Sequence, residues 1–227
     1  GRMERWDMKS GMPAPTDTSQ INGERYPTLT VPTIGPWPKF QSPLRLGVMA
    51  SGSGTNFEAL QASISAGDLD AELRLLVVNN PGCGAMARAK RLGIACELRD
   101  HRRFASREAL DHELVRTFQS AGVEAVVMAG WMRIVTPVLI DAFPGKLINI
   151  HPSLLPSFKG MDAVGQSLEA GVCLAGCTVH QVLKDVDAGP ILAQAAVPIL
   201  SGDDRDSLAA RIQSEEHRLL PWATALA

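Results

Sequence analysis

Two polar side chains suited to proton transfer and carbonyl polarisation stand two positions apart at the end of an apolar run. They are Asn149 and His151, in the segment Leu147-Ile-Asn-Ile-His-Pro152. Side chains alternate faces along a strand, so both should project to the same side. Pro152 should end the strand because it cannot donate to a sheet ladder. An imidazole there can shuttle protons and an amide can donate to an oxyanion, although many such histidines only complete a hydrogen bond.

A carboxylate from a later segment could complete this pair. Asp187 lies in Asp185-Val-Asp-Ala-Gly-Pro190, a short polar stretch between two apolar runs. A carboxylate beside an imidazole orients the ring and stabilises its protonated form. The spacing alone is more typical of a turn residue ahead of Ala-Gly-Pro. A chemical role for Asp187 therefore depends on the resemblance described below.

A glycine-containing loop, Ser51-Gly-Ser-Gly-Thr-Asn56, follows the first apolar run of the main domain. Glycine permits close backbone approach, and the start of a following helix directs free N–H groups at an anion. The loop lacks the third glycine and the downstream acidic residue of a dinucleotide site. It also lacks the Gly-Lys-Ser/Thr of a triphosphate loop. We therefore predict a cradle for a single phosphate, with a helix capped by Ser or Thr as the alternative.

The elements that must position these groups alternate between apolar strand patterns and helical patterns from Leu44 onward. This alternation predicts parallel strands joined by right-handed crossovers. After the Asn149/His151 strand, two apolar runs with a short polar connection predict a hairpin, and a last helix should run from Asp206 towards Trp222. We predict one α/β domain over residues 44–227: a Rossmann-like, mostly parallel sheet with helices on both faces and a C-terminal antiparallel addition.

Residues 1–43 differ in composition from the rest of the chain. They carry seven prolines among Ser, Thr and Gly, with no apolar periodicity. Such a segment buries too little surface to offset the entropy of ordering it. We predict a proline-rich extension that is partly ordered at most, held to the domain by Tyr26, Trp37 and Phe40.

Composition excludes several classes of protein. A formal net charge of −2 gives no basic field for nucleic acid, and no apolar run is long enough to span a membrane. The first residues lack the basic-then-apolar order of a signal peptide. Cys173 and Cys177 have no second pair to complete a zinc site, so we expect no metal. The four cysteines form no disulfide framework, which favours a reducing, cytoplasmic location.

Several segments, taken together and in order, resemble the formyltransferases that use 10-formyltetrahydrofolate, most closely the phosphoribosylglycinamide formyltransferases of purine synthesis. The resemblance runs from about Leu44 to the C-terminus. Several motifs in one order are far more specific than any one of them. The matching segments are Ser51-Gly-Ser-Gly-Thr-Asn56, Ala129-Gly-Trp-Met-Arg-Ile134, Asn149-Ile-His-Pro-Ser-Leu-Leu-Pro156, Gly176-Cys-Thr-Val-His180, Asp187-Ala-Gly-Pro190 and Gln213-Ser-Glu-Glu-His217.

The resemblance implies an activity and a set of site residues. Formyl would pass from 10-formyltetrahydrofolate, a co-substrate, to the amine of glycinamide ribonucleotide, giving formylglycinamide ribonucleotide and tetrahydrofolate. No metal, nucleic acid or membrane is implied, and we expect a monomer or weak homodimer. The implied catalytic residues are Asn149, His151 and Asp187. Those implied for the ribonucleotide are Gly54, Thr55, Asn56, Gln213 and Glu216; those for the folate are Arg107, Met132, Arg133, Ile134, Val135 and Asn149.

Two finer expectations come from the same resemblance. The Leu155–Pro156 peptide should be cis, which is a minority state for X-Pro bonds. Relatives often place a histidine shortly after the glycine that matches Gly160, where this chain has Asp162 and Val164. If that histidine holds substrate, Asp162 must substitute for it or the contact is lost.

Three rival functions stay open. A deformylase would hydrolyse the same folate, but such enzymes usually carry a regulatory domain ahead of the catalytic one. The formyltransferase of initiator methionyl-tRNA normally adds a C-terminal nucleic-acid-binding domain. A Rossmann-type phosphate- or nucleotide-binding protein would need the glycine loop without a converging Asn149, His151 and Asp187.

Other candidate groups have ordinary structural interpretations. His180 should be a hydrogen-bonded structural residue of a strand. We expect His101, His112 and His217 on the solvated surface. Arg133 could stack on a pterin or form an ordinary loop ion pair.

Overall fold

A computed structural model describes residues 18–21 and 24–227 of the chain. These residues form ten strands, and helices pack around them. The rest of the predicted extension, residues 1–17 and 22–23, lies outside the described residues. The strands are β1 (Thr18–Ile21), β2 (Glu24–Pro27), β3 (Leu29–Val31), β4 (Leu44–Ala50), β5 (Ala71–Val78), β6 (Cys96–Leu98), β7 (Ala125–Met128), β8 (Leu147–His151), β9 (Leu174–Gln181) and β10 (Ile191–Pro198).

Some of the helices begin where the local sequence supplies a side-chain cap. Ser106 accepts from the Ala109 N–H at the start of α3, and Asp204 forms a capping box with Ser207 at the start of α6. No helix in the described part of the chain has the length and apolar character to cross a bilayer. The helices are α1 (Thr55–Ser65), α2 (Gly84–Leu92), α3 (Arg107–Ser120), α4 (Pro137–Ala142), α5 (Ala163–Ala170) and α6 (Arg205–Leu226).

Eight strands form one sheet in the order β3-β10-β9-β8-β7-β4-β5-β6. The five strands from β8 to β6 are parallel, and β9, β10 and β3 continue the sheet in antiparallel pairs. The predicted fold is confirmed, including the antiparallel addition. Because β8, β7 and β4 are parallel neighbours, their carboxyl ends meet at one edge of the sheet, where open α/β sheets bind ligands.

Each face of the sheet has its own apolar core. Leu46 and Val48 of β4 pack in the cluster that includes α1, α2 and α6, whereas Met49 faces the cluster of α3 and α4. Gly47 lies on this second face, where a Cβ would come within 2.5 Å of the Phe118 ring. A larger residue there would displace the aromatic ring from the core.

The described part of the N-terminal segment packs on the domain. β3 pairs with β10 at the edge of the sheet, and buried Tyr26 lies 5.4 Å beneath the Arg211 guanidinium. Trp37 packs edge-on against Trp222, with ring centroids 5.1 Å apart. Phe40 is 38% exposed, so of the three aromatic residues expected to hold the segment it contributes least.

Candidate active site

Asn149 and His151 end β8 and project to the same side of the sheet, as the alternation of side chains requires. β9 runs antiparallel beside them, with His180 opposite Asn149 and Thr178 opposite His151. His151 is buried and Asn149 is half-buried. Strand β9 therefore lies alongside the candidate catalytic cluster, which we define as Asn149, His151 and Asp187.

The Asp187 carboxylate reaches His151 from the connection between β9 and β10. Its Oδ1 lies 3.4 Å from His151 Nδ1, and both side chains are only 8% exposed. Its Oδ2 accepts a 2.7 Å hydrogen bond from the Gly160 N–H. On the far side of the ring, His151 Nε2 lies 2.8 Å from the carbonyl oxygen of Phe158. The carboxylate therefore holds both the imidazole and the loop that follows β8.

Unusual backbone surrounds this cluster. Among the described residues, three non-glycine residues have positive φ: Phe158 at 57°, Asp162 at 54° and Asp187 at 52°. A bulky residue such as phenylalanine rarely adopts this conformation, and such strain is typical of functional sites. The expected cis peptide at Leu155–Pro156 is present.

The loop predicted to bind phosphate, residues 51–56, follows β4 and is called the phosphate cradle below. Gly54 is the N-cap of α1 with φ 77°, and no side chain caps the helix, which excludes the alternative of a Ser or Thr cap. A Cβ on Gly54 would come within 2.7 Å of the Cα of Ala85, so only glycine lets the loop approach α2 this closely. The first N–H groups of α1 are therefore available to an anion.

Helix α6 closes the other side of the cradle. Asn56 donates to Glu216 at 3.3 Å, and Gln213 donates to the Thr55 hydroxyl at 3.0 Å. Burial raises the pKa of Glu216, an effect opposed in part by the hydrogen bond from Asn56. The five residues expected for the ribonucleotide thus come together from segments about 160 positions apart.

A cleft of about 230 Å³ opens beside the loop that follows β7. Among the described residues, neither Arg107 nor Arg133 forms an ion pair with a carboxylate, and the Arg133 Nε is buried without a partner. Of the other residues expected for folate, Met132 is 76% exposed and Val135 is half-buried against the α3 core. The cleft is lined by His101, Phe104, Ala105, Ser106, Arg107, Leu110, Arg133 and Ile134.

A hydrogen-bond chain joins the cradle to the cleft. The Ser51 hydroxyl accepts from the Met132 N–H at 2.9 Å, and the Ser51 carbonyl accepts from Asn80 at 2.8 Å. The Asn80 oxygen accepts in turn from Arg102 at 3.1 Å. The loops after β4, β5 and β7 are thereby tied to one another.

The expected surface position is wrong for two histidines. His101 lines the cleft, where burial first and Arg133 second lower its pKa; its Nδ1 lies 3.1 Å from the Asn79 amide nitrogen. His217 is half-buried, burial lowers its pKa, and its Nε2 has no partner among the described residues. Only His112 is exposed as expected. No local pattern distinguishes the three, because what buries His101 is a loop more than thirty positions later.

The position that departs from the relatives has a structural role. Asp162 caps α5 by accepting from the Gly165 N–H at 3.2 Å, and it pairs with Arg205 at 2.5 Å. A Cβ on Gly165 would collide with this carboxylate. Val164 is buried in the core. Asp162 is thus engaged in the cap and the ion pair.

The described residues contain no group of three or more His, Cys, Asp or Glu that could hold a metal ion. All four cysteines are free.

Comparison with known proteins places these features in a family. A family model described as "Formyl transferase" matches residues 44–224. Phosphoribosylglycinamide formyltransferase of Bacillus subtilis is 38% identical over 177 residues, covering 78% of this chain and 91% of that protein. The crystal structure of glycinamide ribonucleotide transformylase 1 from Symbiobacterium toebii superposes with a TM-score of 0.81 at 42% identity, covering 82% of this chain and 88% of the other.

Longer relatives match as well. The trifunctional purine biosynthetic protein adenosine-3 of Gallus gallus is 43% identical over 183 residues. That match covers 81% of this chain and 18% of the relative, so the chain spans less than a fifth of that relative's length. The family model matches most of the chain, and the Bacillus subtilis relative, at 38% identity, is covered over 91% of its length. The chain belongs to the formyl transferase family.

Proposed function

We propose that this protein transfers the formyl group of 10-formyltetrahydrofolate to the amine of glycinamide ribonucleotide, giving formylglycinamide ribonucleotide and tetrahydrofolate in purine synthesis. One observation carries the proposal. The phosphate cradle, the loop beside the cleft and the catalytic cluster follow β4, β7 and β8, three parallel strands that are neighbours in the sheet. A phosphorylated amine and a formyl donor bound at this edge would meet beside His151.

His151 is the proton carrier in this proposal. Attack of the amine on the formyl carbon requires loss of an amine proton, and release of the folate nitrogen requires gain of one. Nε2 faces the Phe158 carbonyl in this structure, so His151 takes up the first proton and returns it to the leaving nitrogen only when the substrates replace that carbonyl contact. Asp187, 3.4 Å from Nδ1, stabilises the imidazolium that forms in between.

Asn149 is the hydrogen-bond donor to the formyl oxygen. As the carbonyl carbon becomes tetrahedral, its oxygen gains negative charge, and a fixed amide N–H stabilises that charge at no cost of reorganisation. Asn149 is suited to this because it lies at the same strand end as His151 and is half-buried.

The two substrates are assigned by charge. The uncapped start of α1 suits the phosphate of the ribonucleotide, with Gly54, Thr55 and Asn56 in the cradle and Gln213 and Glu216 on α6. The cleft suits the carboxylate-bearing end of the folate. Arg107 and Arg133 would bind the carboxylates there, and Met132, Ile134 and Val135 would line the loop on which the folate rests.

Folate turnover followed spectroscopically, with and without glycinamide ribonucleotide, tests the proposal. We expect tetrahydrofolate to form only when the ribonucleotide is present, with one formyl group transferred for each folate consumed. Formate release at the same rate without the ribonucleotide would instead identify a deformylase. Phosphate or nucleotide binding without folate turnover would leave only a Rossmann-type binding protein. A cytoplasmic location and a monomer or weak homodimer stay predictions.

A further inference from the structure

His180 lies directly opposite Asn149 on the neighbouring strand and contacts its side chain. The Asn149 amide nitrogen is 3.4 Å from His180 Nε2, and the other ring nitrogen, Nδ1, is 2.9 Å from the carbonyl oxygen of Gln181. His180 is only 2% exposed. The contact with Asn149 is not predictable from sequence, because it depends on the register of β8 and β9.

These two contacts determine which ring nitrogen carries the proton. A backbone carbonyl can only accept, so His180 Nδ1 carries a hydrogen that it donates to Gln181. In the neutral ring, Nε2 then has a lone pair, which can accept one of the two amide hydrogens of Asn149. The amide is thereby held with its nitrogen towards His180, and its second N–H stays available.

Burial keeps the ring in this neutral form. It lowers the pKa of His180 and is the largest effect; the backbone hydrogen bonds to Gln181 and Ala188 and the charge of Asp187 act in the opposite direction, and His151 acts in the same direction as burial. His151 and Asp187 are the titratable groups that face His180, from β8 and from the connection between β9 and β10. A protonated ring would direct an N–H at the amide hydrogens of Asn149 and favour the reversed amide.

We propose that His180 is a positioning residue, whose unprotonated Nε2 orients the Asn149 amide so that its second N–H meets the formyl oxygen. This inference rests on the proposed function, since it assigns the origin of the orientation that Asn149 needs there. His180 itself touches neither substrate in this arrangement. Its effect should therefore appear in kcat and leave substrate binding nearly unchanged.

Two substitutions separate positioning from a merely structural role. In His180→Gln, the longer side chain can place an amide oxygen near the position of Nε2 and accept from Asn149. In His180→Asn, the shorter side chain can keep the bond to the Gln181 carbonyl but cannot reach Asn149. The assay is steady-state formyl transfer with both substrates varied, together with the melting temperature of each variant.

We expect His180→Gln to retain kcat within a few-fold and His180→Asn to lose about 10- to 100-fold, short of the full loss of an oxyanion donor. Both KM values should stay within about threefold, as for an interaction made mainly in the transition state. The reverse ranking, with His180→Asn active and His180→Gln both inactive and less stable, would assign a structural role and overturn the proposal.

A second measurement, on the unsubstituted protein and on His180→Asn, does not depend on catalysis. Nitrogen-15 NMR should show His180 with a protonated Nδ1 and an unprotonated Nε2 at neutral pH, and an Asn149 amide proton that shifts in His180→Asn. A protonated Nε2, or an Asn149 resonance unaffected by the substitution, would refute the inference whatever the activity. Absence of formyl transfer by the unsubstituted protein would instead refute the proposed function.

Discussion

The cradle and the cleft lie at neighbouring strand ends, yet their polar groups are satisfied in different ways. In the cradle, Asn56 bonds to Glu216 and Thr55 bonds to Gln213, so side chains from α1 and α6 hold one another. In the cleft, Arg107 and Arg133 form no ion pair with a carboxylate of the described chain. In the first region side chains of the protein hold one another, although the Asn56 Oδ1 is buried without a partner, whereas the second region carries positive charge that no carboxylate of the described residues pairs with.

This difference indicates how each substrate should bind. A site whose side chains are already fixed needs little ordering when the ligand arrives, so more of its contact energy appears as affinity. A site with unpaired guanidinium groups draws affinity from charge, which salt screens. The exposed apolar side chains of Met132 and Ile134 also give the cleft loop a surface on which an apolar ring can rest. We therefore expect ribonucleotide binding to be rigid and folate binding to be salt-sensitive.

The largest effect should come from the catalytic cluster, which lies at the end of the strand beside these two regions. His151→Ala should lower kcat by about 10²–10⁴, the usual contribution of an acid–base group. Both KM values should change little, because His151 belongs to neither the cradle nor the cleft. Steady-state kinetics checks this, with His112→Ala as a control on an exposed histidine of α3. A His151→Ala variant with near-normal kcat would remove this residue from the mechanism.

A second large effect should follow from filling the space that the cradle requires. Gly54→Ala places a Cβ against the Ala85 backbone at a residue with φ 77°. A left-handed conformation and overpacking together should cost about 2–4 kcal/mol. We expect a lower melting temperature and a raised KM for the ribonucleotide, measured by thermal unfolding and kinetics.

Gly52→Ala is the matched control, because a Cβ at Gly52 meets nothing within 4 Å. It should leave both the melting temperature and the ribonucleotide KM near their original values. Equal effects of the two substitutions would contradict the rigid cradle.

The strands and helix starts of the fold could be predicted because their signals are local. The alternation in β8 identified Asn149 and His151, and the Ser106 that caps α3 is a local signal of the same kind. The cradle was predicted for the same reason, since Gly54 and the helix after it are adjacent in sequence.

Contacts between distant segments could not be predicted in the same way. The contact between Asp187 and His151 was expected only from a resemblance, because no sequence pattern around a single Asp in a turn indicates which residue it contacts. The contact between His180 and Asn149 depends on strand register, and the place of His101 in the cleft depends on a loop after β7. Pairing across a sheet and packing between loops are set by the whole fold, which no short pattern encodes.

An intermediate effect should come from the unpaired charge of the cleft. Arg107→Ala should raise the KM for the folate about 10- to 100-fold, the value of a hydrogen bond to a charged group. The ribonucleotide KM should not change. Raising the salt concentration should weaken folate binding in the unsubstituted protein more than in this variant.

Arg103→Ala tests whether any positive charge near the cleft contributes to folate binding as much as Arg107 does. Arg103 is exposed, and the cleft is lined by other residues. Its removal should change the folate KM less than twofold. If Arg103→Ala raises the folate KM as much as Arg107→Ala does, the cleft binds folate through its overall positive charge and not through a specific contact with Arg107.

The smallest effect should be a change in how stability depends on pH at the cradle. Burial raises the pKa of Glu216 above its ordinary 4.5. A group with a raised pKa in the folded state contributes stability below its ordinary pKa, and this contribution is lost as the pH rises through the folded-state value. Glu216→Gln keeps the shape and can still accept from Asn56, but it does not ionise. The variant should therefore be slightly more stable than the unsubstituted protein at neutral pH, and the gain should vanish in acid.

Glu113 provides a control of opposite sign. Hydrogen bonding from Arg116 lowers its pKa, so its contribution to stability is present above the ordinary pKa and is lost as the pH falls. Glu113→Gln should therefore be less stable than the unsubstituted protein at neutral pH and equal to it in acid. Denaturant unfolding across this pH range measures both variants. Curves of the same sign would mean that the Glu216 carboxyl is solvated and paired like a surface group. The contrast between a cradle whose side chains hold one another and a cleft with unpaired charge would then fail at Glu216.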